Sequence, residues 1–249
     1  MAVFHIEIAG KVFRIASLFE STRDYCAKYL TERNADFSVE VFPEDLIAEQ
    51  YFLDEEARQE GLKRRKFTDP FLERTAMQRK VAQRLFPCGT LLFHGSAVAV
   101  DGMGYLFTAA CGTGKSTHTR FWRETFGSRA VMVNDDKPFL KIAEDGVLMF
   151  GAPWSGKHGL DTNICVPLQG ICILTRGTEN RISPLSPEEA LPMLLHQSCA
   201  PADPAQLPEL RQLVTQLSGR VPLWHMACTK DISAARVSYE AMSAAPSSL

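Results

Sequence analysis

Residues 108–117 read TAACGTGKST, between the apolar alternating run GYLF and the helix-like run HTRFWRETF. Ala109 through Ser116 satisfies the pattern [AG]xxxxGK[ST]. Gly112 and Gly114 allow consecutive backbone N–H groups to point inward around an oxyanion. A helix beginning at about Lys115 adds its positive dipole end. Lys115 then reaches the β- and γ-phosphates, and the Ser116 hydroxyl coordinates Mg²⁺. The expected nucleotide-binding set is Cys111, Gly112, Thr113, Gly114, Lys115, Ser116 and Thr117, with a nucleotide phosphate and Mg²⁺ as the groups held. The bland alternative is a Gly-rich turn with a solvated lysine. A loop of this kind demands a strand before it and a helix after it, which commits this part of the chain to an α/β fold.

Asn134-Asp135-Asp136 ends a strand about 20 residues after Lys115. Two carboxylates there can hold Mg²⁺, and one can also accept a proton from an attacking hydroxyl. His94-Gly95-Ser96 precedes the loop by one hairpin; by itself, a histidine on a strand reads as a core or surface residue. Residues 151–163, GAPWSGKHGLDTN, form a long Gly-rich loop with Trp154, Lys157, His158 and Asn163. Such segments close over substrates, and Lys157 is placed to stabilise a transferring phosphoryl group. Arg176 and Asn180 in TRGTEN are expected near the nucleotide. Cys111, beside helix N–H groups and a lysine, reads either as a readily ionised thiol or as a small filler in a tight turn.

Composition narrows the function classes. The chain has 249 residues, 45% hydrophobic and 22% charged, enough for one or two globular domains. A formal net charge of -2 argues against a broad nucleic-acid or membrane-surface field. The basic run Lys63-Arg64-Arg65-Lys66 reads as a solvated face, with a docking patch as the alternative. Seven cysteines, an odd number without CxxC or Cys/His ligand spacing, fit reduced thiols in a cytoplasmic protein without structural zinc. MAVFHIEIAGKVFRI carries Glu7 within its apolar part and does not read as a signal peptide. No apolar run approaches the roughly 18 residues of a membrane helix.

Residues 2–16 read as two strands around Ala9-Gly10-Lys11, 19–31 as a helix, and 37–42 as a strand. The polar stretch 43–67 reads as partly helical. Asp69-Pro70 starts a helix whose apolar positions Met77, Val81 and Leu85 step by four before Pro87 ends it. TLLFHGSAVAVDGMGYLFTAA reads as strand, turn at Asp101-Gly102, and strand. AVMVNDDKPFLKI is a strand with acids at its end, Asp145-Gly146 a hairpin turn, and VPLQGICIL a strand. SPEEALPMLLHQ opens with a capping box, Ser186 to Glu189, and Pro192 is expected to interrupt the helix. VPLWHM is a late strand. Ile232, Ala235, Tyr239 and Met242 mark one face of a C-terminal helix, followed by a frayed tail, SAAPSSL. The expected domains are an N-terminal α/β region, 1–87, suited to substrate or partner docking, and a phosphate-loop core, 88–249.

The order HGSAVAVDGMGYLFTAACGTGKST, then NDD, then a Gly-rich loop, resembles the HPr kinase/phosphorylase and phosphoenolpyruvate carboxykinase superfamily. It is most similar to bacterial HPr-kinase-like proteins in which GTGKSTHTRFW, DKP and PWSGK-like strings recur. The resemblance covers roughly residues 88–200. It implies an α/β fold with a mixed β-sheet P-loop core and an N-terminal α/β extension, and Mg-ATP-dependent phosphoryl transfer to a hydroxyl. It implies that Lys115 and Ser116 bind phosphate and Mg²⁺ and that Asp135 and Asp136 share metal and base duties, Asp136 being the first choice for the base. It also gives His94 the place of an active-site histidine. Cys111 stands where HPr kinases usually carry Ser, and their later ExRGxG-type signature is absent. The acceptor is therefore left open among a peptide, a protein and a small molecule, as is assembly into a homo-oligomer. A nucleotide-binding regulatory or maturation partner is the alternative, and a carboxykinase-like metabolic enzyme is a third reading.

Overall fold

The computed structural model describes residues 1–59, 61 and 63–244 and divides into two compact units, Met1–Arg84 and Leu85–Leu249. Most of the expected frayed tail, residues 245–249, lies outside the described residues.

In the first unit, β1 (Ala2–Ile8) and β2 (Lys11–Ser17) form an antiparallel hairpin. Its two turn residues both have positive φ, Ala9 at 51° and Gly10 at 75°, the conformation a two-residue hairpin turn requires to match strand twist. β3 (Phe37–Glu40) joins β2 in parallel. The helix expected over 19–31 is much shorter. α1 (Glu20–Tyr25) gives way to a 3₁₀ turn, and Leu30 bridges back to Ile6. No side chain of its own caps α1. Instead the buried carboxylate of Glu73, on α3 (Asp69–Leu85), accepts from the backbone N–H groups of Leu18 and Phe19 and from the Thr22 hydroxyl. α2 (Pro43–Gln59) occupies most of the polar stretch. Arg79 of α3 pairs in a fork with buried Glu49 of α2, at 2.8 and 3.0 Å.

The second unit runs β4 (Thr90–Leu92), β5 (Ser96–Val100), β6 (Met103–Thr108), α4 (Lys115–Phe126), β7 (Ala130–Asn134), β8 (Phe139–Ala143), β9 (Gly146–Phe150), β10 (Cys165–Arg176), β11 (Arg181–Pro184), α5 (Pro187–Gln197), α6 (Leu207–Arg220), β12 (Leu223–Cys228) and α7 (Ser233–Ala244). Among the described residues nine strands form one mixed sheet in the order β4-β8-β9-β10-β6-β5-β7, with β12 beside β10 and β11 beyond β12. β10 is parallel to β6 and β12 and antiparallel to β9; the remaining pairs are antiparallel. The fold is thus a mixed α/β sheet core.

Strand alternation sorts the central strands into two cores. Val98, Val100, Tyr105, Phe107, Cys172 and Leu174 pack with Trp122 of α4 and Met242 of α7. Ala97, Ala99, Leu106, Ile171 and Ile173 pack with Leu194 of α5 and Val214 of α6. Covering on both faces explains why these strands are apolar almost throughout.

Three further local expectations are corrected. TLLFHGSAVAV is not one strand: the chain leaves the ladder at His94-Gly95, where His94 N–H donates to Gln197 O (2.7 Å) and Gly95 N–H to Asp136 O (2.9 Å). Pro192 does not interrupt α5, which continues to Gln197. Pro192 and Glu188 are exposed, so the carbonyl that the missing N–H leaves unpaired can be hydrated. Ile232 precedes α7 and is exposed, and the buried face of that helix is Ala234, Ala235, Ser238 and Met242. The sequence reading assigned nothing to α6, although Leu210, Val214 and Leu217 recur at helical spacing and are buried.

Candidate functional site

The phosphate-loop segment leaves β6 and enters α4. Gly112 has φ 71° and Gly114, the residue before the helix, φ 128°. Both values belong to the left-handed side of the map, where an L side chain is strained. No side chain caps α4, so its first-turn N–H groups remain open to an oxyanion ligand. Lys115 Nζ lies against the loop, 3.2 Å from the carbonyl of Ala109. Arg176, at the end of β10, donates to Gly112 O at 2.8 Å. Arg176 therefore braces the loop, while Asn180 turns to Thr229 and Ser233. Cys111 and Ser116 are exposed; Thr113 and Thr117 are half-buried.

The acid turn follows β7. Asn134, fully buried, organises it. Its Oδ1 accepts from the N–H groups of Asp136 (2.8 Å) and Lys137 (2.6 Å), and its Nδ2 donates to the carbonyls of Ala152 (2.8 Å) and Trp154 (3.2 Å). One amide thus fixes the acid turn and the start of the Gly-rich loop together. The motif NDD contained this residue, but the sequence reading gave it no role, since its partners lie about 20 residues downstream.

The two acids occupy different surroundings. Asp135 is 4% exposed. Its Oδ1 accepts from Gly156 N–H at 2.6 Å, while Oδ2 is buried without a hydrogen-bond partner. Burial pushes this carboxyl above its ordinary value, against the Gly156 N–H and the charge of His158 and with the charge of Asp136. A Cβ on Gly156 would lie 3.3 Å from both Asp135 oxygens, so glycine allows the close approach. Asp136 Oδ1 lies 3.3 Å from His94 Nε2, and both side chains are about a third exposed. Burial opposes ionisation of Asp136, yet the His94 bond and the charges of Lys137 and Lys115 hold its carboxyl below the ordinary value. Burial also lowers His94, with Lys137 and Lys115 helping and Asp136 opposing, which keeps the ring neutral near pH 7.

The charge of Lys115 lowers both His94 and Asp136. Thr108, the last residue of β6 and the first of the phosphate-loop segment, donates its hydroxyl to His94 O at 3.0 Å. The Gly-rich loop packs against the acid turn along its length. Asp135 N–H donates to Leu160 O (3.1 Å), Thr162 N–H to Val133 O (3.2 Å), and Trp154 is buried. Lys157 and His158 lie exposed on its outer stretch.

Among the described residues no group of three or more His, Cys, Asp or Glu side chains is placed to hold a metal by itself. Mg²⁺ characteristically takes one or two carboxylates, with water and substrate phosphate completing its shell. A buried carboxylate oxygen without a partner is a suitable ligand for such a cation, and Asp135 Oδ2 supplies one.

No protein-family model matches this sequence, and no curated protein matches it. Among solved structures the chain is similar to the Hpr(Ser) kinase/phosphatase from Coxiella burnetii, with 15% identity over 51% of this chain and 87% of that chain and a TM-score of 0.28. No helix among the described residues is long and apolar enough to cross a membrane.

Proposed function

We propose that this chain is a Mg-ATP-dependent phosphotransferase that passes the γ-phosphoryl group to a serine-like hydroxyl on a peptide, protein or small molecule. The observation that carries the reading is the His94–Asp136 pair, joined through Thr108 to the start of the phosphate loop and accompanied in the same acid turn by the buried, unsatisfied oxygen of Asp135. The loop N–H groups from Cys111 to Thr117 hold the phosphates, and Lys115 swings from the Ala109 carbonyl to neutralise them. Ser116, Asp135 and Asp136 would hold Mg²⁺, which when bound would spread the charge developing on the phosphoryl oxygens. Asp136, ionised and held by His94, takes the proton from the acceptor hydroxyl. His94 Nε2–H orients the carboxylate. Lys157 stabilises the phosphoryl group in flight.

The deciding experiment uses ATP labelled at the γ-phosphate with Mg²⁺ and extract from the source cells divided into small-molecule and protein fractions. Label entering an organic product in one fraction, and absent with Lys115→Ala, supports the kinase. Label released only as inorganic phosphate favours the alternative, a nucleotide-binding regulatory or maturation partner. A second measurement reports binding alone: Mg-ATP is expected to slow alkylation of the exposed Cys111 thiol.

A further inference from the structure

The first unit carries a groove unrelated to the phosphate loop. Its volume is about 470 Å³, and it lies between α2 and the segment leading into α3. Pockets that take small ligands or anchoring side chains run roughly 300–1,000 Å³. Ile47 and Tyr51, one helical turn apart on α2, are 74% and 63% exposed, an unusual display of large apolar side chains on one helix face. Phe67 lines the groove, and its ring stacks on exposed Phe71 with centroids 4.8 Å apart.

The groove is built rather than incidental. The Gln50 amide behaves as a backbone partner would: Nε2 donates to Arg65 O at 2.9 Å, and Oε1 accepts from Phe67 N–H at 3.1 Å. Its Nε2 also donates to Asp54 Oδ1 at 3.0 Å. One side chain therefore fixes residues 65–67 against α2 and sets the width of the groove before any ligand arrives.

Charge selects the occupant. Arg64, Arg65 and Lys66 form one wall and are exposed. No hydrogen-bonded ion pair engages them among the described residues. On the α2 side the one charged residue lining the groove is Asp54, which accepts from Gln50. A nucleic-acid backbone has no apolar side chain to seat in this groove, and a flat anionic bilayer does not enter a concavity of about 470 Å³. A single polypeptide segment meets both demands by placing its carboxylates on the basic wall and its apolar side chain in the groove.

We infer that this groove docks an acidic polypeptide segment carrying an aromatic or aliphatic anchor residue. The anchor packs against Ile47 and Phe67, and the flanking carboxylates pair with Arg64, Arg65 and Lys66. The inference stands independently of phosphoryl transfer. If the chain is a kinase, this segment belongs to a polypeptide acceptor or to the protein that delivers it.

The probe is a phage-displayed library of random dodecapeptides, panned on the full-length chain and in parallel on Ile47→Asp and on Arg64→Glu/Arg65→Glu. Both variants alter exposed positions, and an unchanged melting temperature verifies folding; Ile47→Ser replaces Ile47→Asp if that variant unfolds. The expected result is enrichment, on the wild type alone, of peptides in which Asp or Glu flanks Phe, Trp or Leu. A synthetic peptide of that sequence binds the wild type, weakens roughly tenfold or more on charge reversal, and weakens with added salt. Four results overturn the inference: no enrichment over the variants, enrichment of neutral or basic peptides, a wild-type dimer that Ile47→Asp turns into a monomer, or capture by phosphatidylserine vesicles that Ile47→Asp abolishes. ATP binding is measured on the same proteins without peptide, so failure at the groove and failure at the nucleotide site are read separately.

Discussion

Gly156 N–H donates to one oxygen of Asp135 at 2.6 Å, while the second oxygen of that carboxylate is buried with no hydrogen-bond partner. An ionised carboxylate so enclosed is held at a cost that a cation would relieve.

The Asp135 carboxyl is raised above 3.8 in the fold. Its contribution to stability is therefore fully present below the unfolded value and is lost as pH rises through the folded one. Asp135→Asn is expected to raise the melting temperature at pH 7, by roughly 2–4 °C per kcal/mol recovered, with the gain shrinking toward pH 4. Mg²⁺ should stabilise the wild type and leave the variant unchanged. Melting curves against pH with and without Mg²⁺ check both; a variant less stable than wild type at pH 7 without metal would reject the burial argument.

Asp136→Asn is expected to lower transfer by about 10²–10⁴-fold and to leave ATP affinity nearly intact, because the loop amides and Lys115 remain. Lys115→Ala should instead weaken ATP binding about 10- to 100-fold, the value of a charge-assisted hydrogen bond. Because Asp136 is lowered in the fold, the base stays ionised down to the ordinary carboxylate range. A fall in rate below pH 6.5 then reports protonation of His94, and His94→Asn should remove that limb. Calorimetry and a pH–rate profile separate these outcomes.

Asn134→Asp keeps the acceptor for the Asp136 and Lys137 amides but loses the two donations to Ala152 and Trp154. Each lost donation leaves a carbonyl facing a carboxylate. Hydrogen exchange should rise across 151–163 and stay unchanged in β7. Equal protection of the loop in both proteins would show that Asn134 does not tie it down.

His118, on α4, is buried with Nε2 3.0 Å from Ser238 Oγ and 3.2 Å from the donating Trp122 Nε1. Burial pushes it down to about 4. Its contribution is present above the unfolded value of 6.5 and is lost as pH falls toward 4. The loss amounts to about 3 kcal/mol at about 1.4 kcal/mol per pKa unit. His118→Gln should flatten the melting temperature between pH 6.5 and 4, and an unchanged slope would assign the acid sensitivity elsewhere.

Local sequence determined what local chemistry controls. Gly112, Gly114 and Lys115 mark strand, loop and helix because backbone freedom and dipole operate within a few residues. The capping box of Ser186 and Glu189 forms as the spacing predicts, with both bonds made, and the Ala9-Gly10 hairpin forms at its turn signal. What the tertiary structure decided lies wherever partners are distant in the chain. The break at His94-Gly95 exists because Gln197 and Asp136 supply its hydrogen bonds. α1 starts where Glu73 receives its amides, more than 50 residues away in sequence. Two adjacent aspartates look alike in NDD; the fold separates them, burying Asp135 under Gly156 and turning Asp136 to His94. Ionisation depends on which dipoles and charges surround a group in space, and those neighbours come from three separate stretches of chain that only folding brings together.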